Sequence, residues 1–504
     1  MVYVLYAFLA GAASAFAFEP AGLWPLLPIA FGLICEFIDR TQRMSRALLI
    51  GWAFGVGQFA VGLNWIATAF TYQSNMPAWL GWIAVVLLSL YLAIYPAMAT
   101  GVAWRFGRDN RVALVLLFGG AWAVTEWLRG TMFTGFPWNP AAAALAPTPL
   151  IAIAALIGTY GLSGLLVLLG GAIWLEYRRQ WLPLVLIVGA TALLWVLPSS
   201  VVPPDPLAVL NVRVVQPNIG QEDKWRQGFG EEAARRLAML SGRPSNEPRL
   251  LLWPEAAVTD PLEDARTDEH QAFAEFQRTR AASLLGPSDR LLTGGIAIAS
   301  HDGVHVDGAA NSIFVLAPGG KIIGRYDKSH LVPYGEYLPM RPLLSAVGLS
   351  RLAPGDLDFT PGPGPRTIDL GGQWGKVGLQ LCYEIIFSGH VVDEKHRPGF
   401  IFNPSNDAWF GRWGPPQHLA QARLRAAEEG LPVIRATPTG ISAVIDGRGN
   451  LVKTLPWRTA GVIDSVLPPT ADSPPLFARL GNIIPLVLGF LLIISGIVLS
   501  RRRR

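Results

Sequence analysis

Charge is scarce in this chain. Only 15% of its 504 residues are Asp, Glu, Lys or Arg, against about 25% in soluble proteins, while 51% are hydrophobic and the mean hydropathy is +0.36. That balance excludes an ordinary cytosolic enzyme. The deficit is uneven, with 15 charged residues in 1–200 and 62 in 201–504. No lysine precedes Lys224 and no histidine precedes His270. The first part therefore reads as a helical bundle dissolved in lipid, and the second as a domain in water. A net charge of +5, concentrated at segment ends, does not suggest nucleic acid as a partner. Metal ligation lacks its signatures too: there is no H-E-x-x-H, no paired-cysteine motif and no phosphate-binding glycine loop. No metal and no cofactor are expected.

What is present before residue 200 is long apolar runs. A spanning helix needs about 20 mostly apolar residues, because the hydrocarbon core offers the backbone no water to bond. Seven stretches meet or approach that length: Val2 to Phe18, Leu23 to Phe37, Ala47 to Phe70, Ala78 to Trp104, Val112 to Trp127, Leu156 to Leu175 and Trp181 to Leu197. An eighth, Ile483 to Leu499, runs into four arginines, Arg501 to Arg504. The first stretch lacks a basic leading region and is followed at once by further spans, so a retained helix is expected rather than a signal peptide. With a cytoplasmic N-terminus, inside loops and the tail carry twelve arginines and outside loops only Arg129. Residues 199–480 then lie on the far side, the periplasm of a bacterium, and both termini are cytoplasmic. Glu126 and Arg129 read as an interfacial pair, and the aromatic stretch Gly130 to Asn139, whose rings suit the headgroup zone, as a segment on the outer surface beneath the large domain.

Pro198, Pro203, Pro204 and Pro206 mark the exit from the bundle. The expected divisions are 1–198 for a seven-helix bundle, 199–480 for the outer domain and 481–504 for the closing helix with its arginine tail. From Ala208 the pattern changes to β-branched runs at Val209 to Val215, Arg249 to Trp253, Arg290 to Ala299, Ser312 to Leu316, Lys321 to Tyr326, Val377 to Leu381 and Gly399 to Phe402. Helical patterns fall between them at Glu231 to Leu240, Glu263 to Leu285 and Gln417 to Glu429. Strands alternating with helices predict an α/β layered domain. The Gly- and Pro-rich region Leu343 to Pro365 reads as a long mobile loop beside a site.

The chain has two cysteines. Cys35 falls in a span and Cys382 in the outer domain, so a disulfide between them is excluded and Cys382 is a free thiol. An arbitrary cysteine is most often a small buried hydrophobe. Here Val377 to Leu381 form an apolar run that Cys382 ends, and strand ends are where α/β folds expose reactive groups. A thiol needs a base, since the thiolate is the nucleophile. His330, His390, His396 and His418 leave a Cys-His arrangement open, and carboxylate plus lysine is the other possibility.

Trp253-Pro254-Glu255, Tyr326-Asp327-Lys328 and Cys382-Tyr383-Glu384 each follow a strand, and their chain order resembles the Glu, Lys, Cys order of the nitrilase (carbon-nitrogen hydrolase) superfamily. Longer strings, Lys328 to Pro339 and Ser405 to Gly411, resemble the apolipoprotein N-acyltransferase family. Gln216-Pro217-Asn218 with Trp225, and Phe133 to Trp138, fit it as well. Tyr334 stands where many members have Phe, and the segment after Phe387 has no match.

The resemblance spans nearly the whole chain. It implies a multi-pass α-helical bundle carrying a nitrilase-like α-β-β-α sandwich, anchored in the bacterial inner membrane as a monomer. It implies a two-step acyl transfer: from a phospholipid to Cys382, then from the thioester to the N-terminal amine of a diacylglyceryl-modified apolipoprotein. In that scheme Glu255 is the general base, and Lys328 with a main-chain N–H after Cys382 stabilises the oxyanion. Glu336 holds Lys328 charged. Tyr383, Glu384 and Asn406 support the site, and Trp225 and Trp409 contact substrate or loops. Two other classes compete. A membrane-tethered amidase for a small molecule shares the triad but needs no eight spans. A transporter needs repeats and broken helices that the sequence does not clearly contain.

Overall fold

The computed structural model describes residues 2–72, 76–197, 210–223, 228–346, 348–352 and 358–502. The expected boundary at 198–209 lies outside them. Five described helical stretches are long and apolar enough to cross a membrane: Met44–Gly62, Leu80–Gly107, Arg111–Thr131, Pro149–Tyr177 and Ile483–Arg501. Val2–Ala17 and Leu182–Val196 are apolar but shorter. Small residues let these helices approach closely, as lipid-facing bundles require. A Cβ on Gly120 would stand 2.5 Å from the Gly489 carbonyl oxygen, and one on Gly32 would stand 2.9 Å from that of Gly170.

Two expected spans differ. The run Ala78 to Trp104 forms two successive helices, Leu80–Leu92 and Ile94–Gly107, because Pro96 has no N–H for the Leu92 carbonyl and its ring crowds that turn. The run from Ala47 ends at Gly62 rather than Phe70, and Asn64 turns its side-chain amide onto the Val61 carbonyl at 2.7 Å. Residues Ile66–Ala69 then fold as a short helix against the outer domain.

Thirteen strands occur among the described residues. In the first sheet are β1 (Asn211–Gln216), β2 (Arg249–Leu252), β3 (Pro261–Asp264), β4 (Arg290–Ala299), β5 (Gly308–Leu316) and β6 (Ile322–Asp327). In the second are β7 (Arg366–Asp369), β8 (Lys376–Leu379), β9 (Phe400–Pro404), β10 (Val433–Ala436), β11 (Ala443–Ile445) and β12 (Leu451–Thr454), while β13 (Gly461–Val466) returns to the first. The orders are β13-β1-β2-β4-β5-β6, with β3 on β4, and β12-β11-β10-β9-β8-β7. β1, β2 and β4 run parallel, as do β8, β9 and β10.

The inner faces of both sheets share one core, including Val212, Leu252, Val377 and Phe402. Helices Phe229–Ser241 and Asp268–Ala282 cover the outside of the first sheet through Leu237 and Ala281. Helix Gly414–Glu429 covers the second sheet through Ala422 and Ala426 and turns Ala420, Leu424 and Ala427 into the bundle core. This is the expected α-β-β-α sandwich on a helical bundle, with one helix buried between them.

The run Glu263 to Leu285 is corrected at its start. Residues 261–264 pair with β4 as a strand that buries Leu262, and the helix is Asp268–Ala282. β7 and β10 to β13, none longer than six residues, escaped the pattern reading. Of the Gly- and Pro-rich region, Arg341–Ala346 is a helix and Phe359 bridges Ala309; residues 347 and 353–357 lie outside the described set.

The stretch Gly130 to Asn139 packs beneath the outer domain, as expected. Arg129 Nη1 donates to the carbonyls of Phe136 at 2.9 Å and Trp138 at 2.8 Å, which folds the loop inward. Trp138 is fully buried against Trp65 and Phe410, its indole N–H donating to Gln417 Oε1 at 2.8 Å. Phe133 stays exposed. The Glu126–Arg129 pair is buried, and its atoms are 3.8 Å apart.

Candidate active site

Three loops at strand ends bring the chemistry together. Glu255 follows β2, Lys328 follows β6 directly and Cys382 follows β8. Cys382 adopts φ +53°, and Ala256 beside Glu255 adopts φ +50°. Side chains in this left-handed region cost on the order of 1–3 kcal/mol and persist where surroundings impose them. Each loop turns sharply off its strand, and the thiol is set at the turn.

Glu384 holds that turn. Its Oε2 accepts from Leu381 N at 2.7 Å, while Oε1 accepts from Ser329 N at 2.8 Å, His330 N at 3.0 Å, Ser329 Oγ at 2.7 Å and Tyr326 Oη at 2.7 Å. One buried carboxylate thus fastens the cysteine turn to the lysine loop. Burial still pushes Glu384 above the ordinary carboxylate range against these donors.

Glu255 and Glu336 face a shared amide. Asn311 Nδ2 donates to Glu255 Oε1 at 2.8 Å and to Glu336 Oε1 at 3.0 Å, which uses both its protons. Asn406 N donates to Glu255 Oε2 at 2.7 Å, and its side chain donates to Gln221 Oε1 at 3.0 Å. Glu336 Oε2 accepts from Val332 N at 2.9 Å and lies 2.8 Å from Lys328 Nζ.

Lys328 is 1% exposed. Burial disfavours its charge, but the carboxylates of Glu336 and Glu255 outweigh burial and hold its pKa above the ordinary lysine value. Cys382 moves the other way for a nucleophile: burial and the Glu255 anion push the thiol up, and Lys328 only partly counters them. The resting sulfur is therefore a thiol that needs a base, beside a permanently charged lysine. That combination suits attack on a carbonyl with an oxyanion to be neutralised.

The histidines do not touch the thiol. His418 Nε2 donates to the Cys382 carbonyl oxygen at 3.2 Å, while Nδ1 lies 3.0 Å from both Asp407 Oδ1 and Arg435 Nη2. Burial and Arg435 lower His418 to about 4. Asn403 Nδ2 reaches the same carbonyl at 3.4 Å. The Cys-His dyad left open by the sequence is absent among the described residues. Asn311, Asn403 and Ser405 escaped the sequence reading, and only Ser405 had a signal, inside the string Ser405 to Gly411; His418 was considered only as a base for the thiol.

Tyr383 connects the site to the bundle. Its hydroxyl donates to the Gly135 carbonyl at 3.3 Å, and its ring lies 6.4 Å from Phe136 and 5.2 Å from Phe387. Trp409 packs edge-on against Tyr72 at 5.7 Å. Trp225 lies outside the described residues.

An α-β-β-α sandwich with a strand-end thiol, a buried lysine and paired glutamates defines a class, and comparison agrees: residues 211–469 match the carbon-nitrogen hydrolase family. Residues 10–172 match the apolipoprotein N-acyltransferase N-terminal domain. The chain is 34% identical to an apolipoprotein N-acyltransferase of Rhodopseudomonas palustris, over 99% of this chain and 95% of that one. It is 35% identical to one of Bradyrhizobium diazoefficiens over the same shares. Among solved structures, Nit3 of Saccharomyces cerevisiae, a nitrilase superfamily member, aligns with TM-score 0.38 and 19% identity over 52% of this chain and 90% of that one. The chain belongs to the apolipoprotein N-acyltransferase family and is a membrane protein.

Proposed function

We propose that this enzyme moves a fatty acyl group from a phospholipid to the N-terminal amine of a diacylglyceryl-modified apolipoprotein, through a thioester on Cys382. In the first step Glu255 takes the thiol proton and the sulfur attacks the ester carbonyl. Lys328 and the N–H of Tyr383 stabilise the tetrahedral oxyanion. Collapse breaks the ester C–O bond, and the lysophospholipid leaves with the proton from Glu255. In the second step the lipoprotein amine attacks the thioester and loses a proton to Glu255. Collapse breaks the C–S bond and returns the thiol, leaving an amide on the product. Glu336 keeps Lys328 charged throughout, and Glu384, Tyr383 and Asn406 hold the loops. Trp409 contacts substrate or a loop.

The observation that carries this reading is the bond from Tyr383, next to the nucleophile, to Gly135 of the bundle. A nucleophile whose neighbour is tied to a loop of the helical bundle supports a substrate drawn from lipid. Each acyl methylene drawn into water would cost about 0.8 kcal/mol, so an enzyme taking lipid substrates keeps its nucleophile at this seam. A tethered amidase for small molecules has no use for it, and the full-length relatives carry the transferase name. All proposed groups come from one chain, so a monomer suffices.

The catalytic domain faces the periplasm, with both termini cytoplasmic in the inner membrane; the arginine distribution supports this orientation. The divisions at 198 and 480 follow from it. The deciding experiment incubates purified protein with phospholipid alone and measures intact mass. An acyl adduct is expected in wild type and absent in Cys382→Ala and Glu255→Gln. An adduct that persists in Cys382→Ala refutes the mechanism. A diacylglyceryl peptide with a free amine should discharge the adduct, and its N-acetylated form should not.

A further inference from the structure

Ser405 Oγ is buried between two acceptors. It lies 3.3 Å from Cys382 Sγ and 2.7 Å from Asp407 Oδ1. A hydroxyl has one proton, so it can donate to only one of them at a time. Asp407 does not depend on it: Arg435 Nη2 donates to Oδ1 at 2.6 Å and to Oδ2 at 2.7 Å, and His418 Nδ1 lies 3.0 Å away. The serine main chain is held separately, its N–H donating to the Ala436 carbonyl at 2.9 Å. Only the hydroxyl torsion has to change for the proton to reach the sulfur.

We propose that Ser405 is a catalytic residue whose hydroxyl donates to Asp407 while Cys382 is a thiol and turns to donate to the sulfur once it is a thiolate. No proton leaves the serine: the thiol proton goes to Glu255, and the serine O–H bond stays intact. The same turn serves twice, stabilising the attacking thiolate and later the thiolate expelled from the thioester. Hydrogen bonds to ionised groups are the strong ones, most of all away from water.

The charged and titratable groups around the sulfur are consistent with this need. Glu255 and Lys328 face it from the β2 and β6 loops, with Glu336 behind Lys328. Asp407, His418 and Arg435 stand behind it on the β9 loop, helix Gly414–Glu429 and β10, while Tyr383 and Glu384 belong to its own turn. Glu336 takes one Lys328 donor and the oxyanion calls on another, so the Ser405 hydroxyl is a further donor within reach of the sulfur.

This inference rests on Cys382 as the nucleophile, which the phospholipid adduct tests separately. Its own test is the pH dependence of Cys382 modification by methyl methanethiosulfonate in the full-length protein. Ser405→Ala should raise the midpoint by about one unit, roughly tenfold less thiolate at a fixed pH. It should also slow discharge of the acyl adduct by a similar factor, and Ser405→Thr should recover both. Ser388→Ala, which removes another buried hydroxyl that donates to Glu428 at 2.7 Å, serves as the control with an unchanged midpoint. If wild type forms the adduct and folded Ser405→Ala keeps the wild-type midpoint, the inference falls while the nucleophile stands.

Discussion

The bundle and the sandwich both bury ionic groups, and they use them differently. In the bundle, Arg129 spends its donors on the main-chain carbonyls of Phe136 and Trp138 and meets Glu126 at only 3.8 Å. In the sandwich, Lys328, Glu336, Glu255 and Asn311 satisfy one another at 2.8–3.0 Å. The first charge shapes a loop, and the second set is the one we propose to tune a reaction. In a lipid-facing bundle a polar group is expensive unless it is bonded, and here the bonds go to the backbone that must bend. That bend presents Gly135 to Tyr383, so the shaping charge ends one residue from the nucleophile.

Removing the shaping charge should produce the largest effect. Arg129→Ala leaves Glu126 buried without its partner and releases two carbonyls, which should cost about 3–5 kcal/mol, read as thermal unfolding in detergent. If Arg129→Ala melted like wild type, the bundle charge would have no structural role and the contrast would fail. The catalytic set should respond in rate rather than in fold. Glu336→Gln should slow thioester formation by about 10²–10³-fold. Without that carboxylate, burial acts on Lys328 less opposed, so the alkaline loss of activity should move to lower pH in the rate profile.

A third variant probes the packing behind the turn. His418 has a folded pKa of about 4 against 6.5 in its ordinary state. The unfolded chain therefore takes up a proton as pH falls from 6.5 and the folded chain only near 4, so stability is lost across that window. His418→Gln should remove up to roughly 3 kcal/mol of that acid-dependent loss, measured by unfolding at several pH values. The smallest effect belongs to an exposed pair, Arg213 with Asp464 at 2.7 Å. Asp464→Asn should change stability by less than about 1 kcal/mol, and less still in high salt.

The strand-end positions of Glu255 and Cys382 were legible because each follows an apolar run that a buried strand explains, whereas Lys328 follows the half-buried Ile322–Asp327 and stood out through the string it opens. Apolar length likewise exposed the spans. Pro96 was visible in the sequence, yet the break it makes was not, since prolines inside spanning helices are often tolerated. Residues 261–264 carried too little pattern to compete with the helix after them, and pairing with β4 decided their state. His418 could not be assigned: one face of its helix packs on a sheet and another on the bundle, so the helix has no solvent side to orient it.

By itself the amino-acid sequence determined which parts of this protein dissolve in lipid, where the strands end and which residue types stand there, because hydropathy and backbone periodicity are local. The tertiary structure alone decided that one asparagine bridges two glutamates, that Arg129 folds a loop beneath the nucleophile, and that one serine proton is shared between a sulfur and a carboxylate. Those depend on contacts of about 3 Å that tertiary packing creates, as between Asn311 and Glu255, 56 positions apart, and no local pattern encodes them.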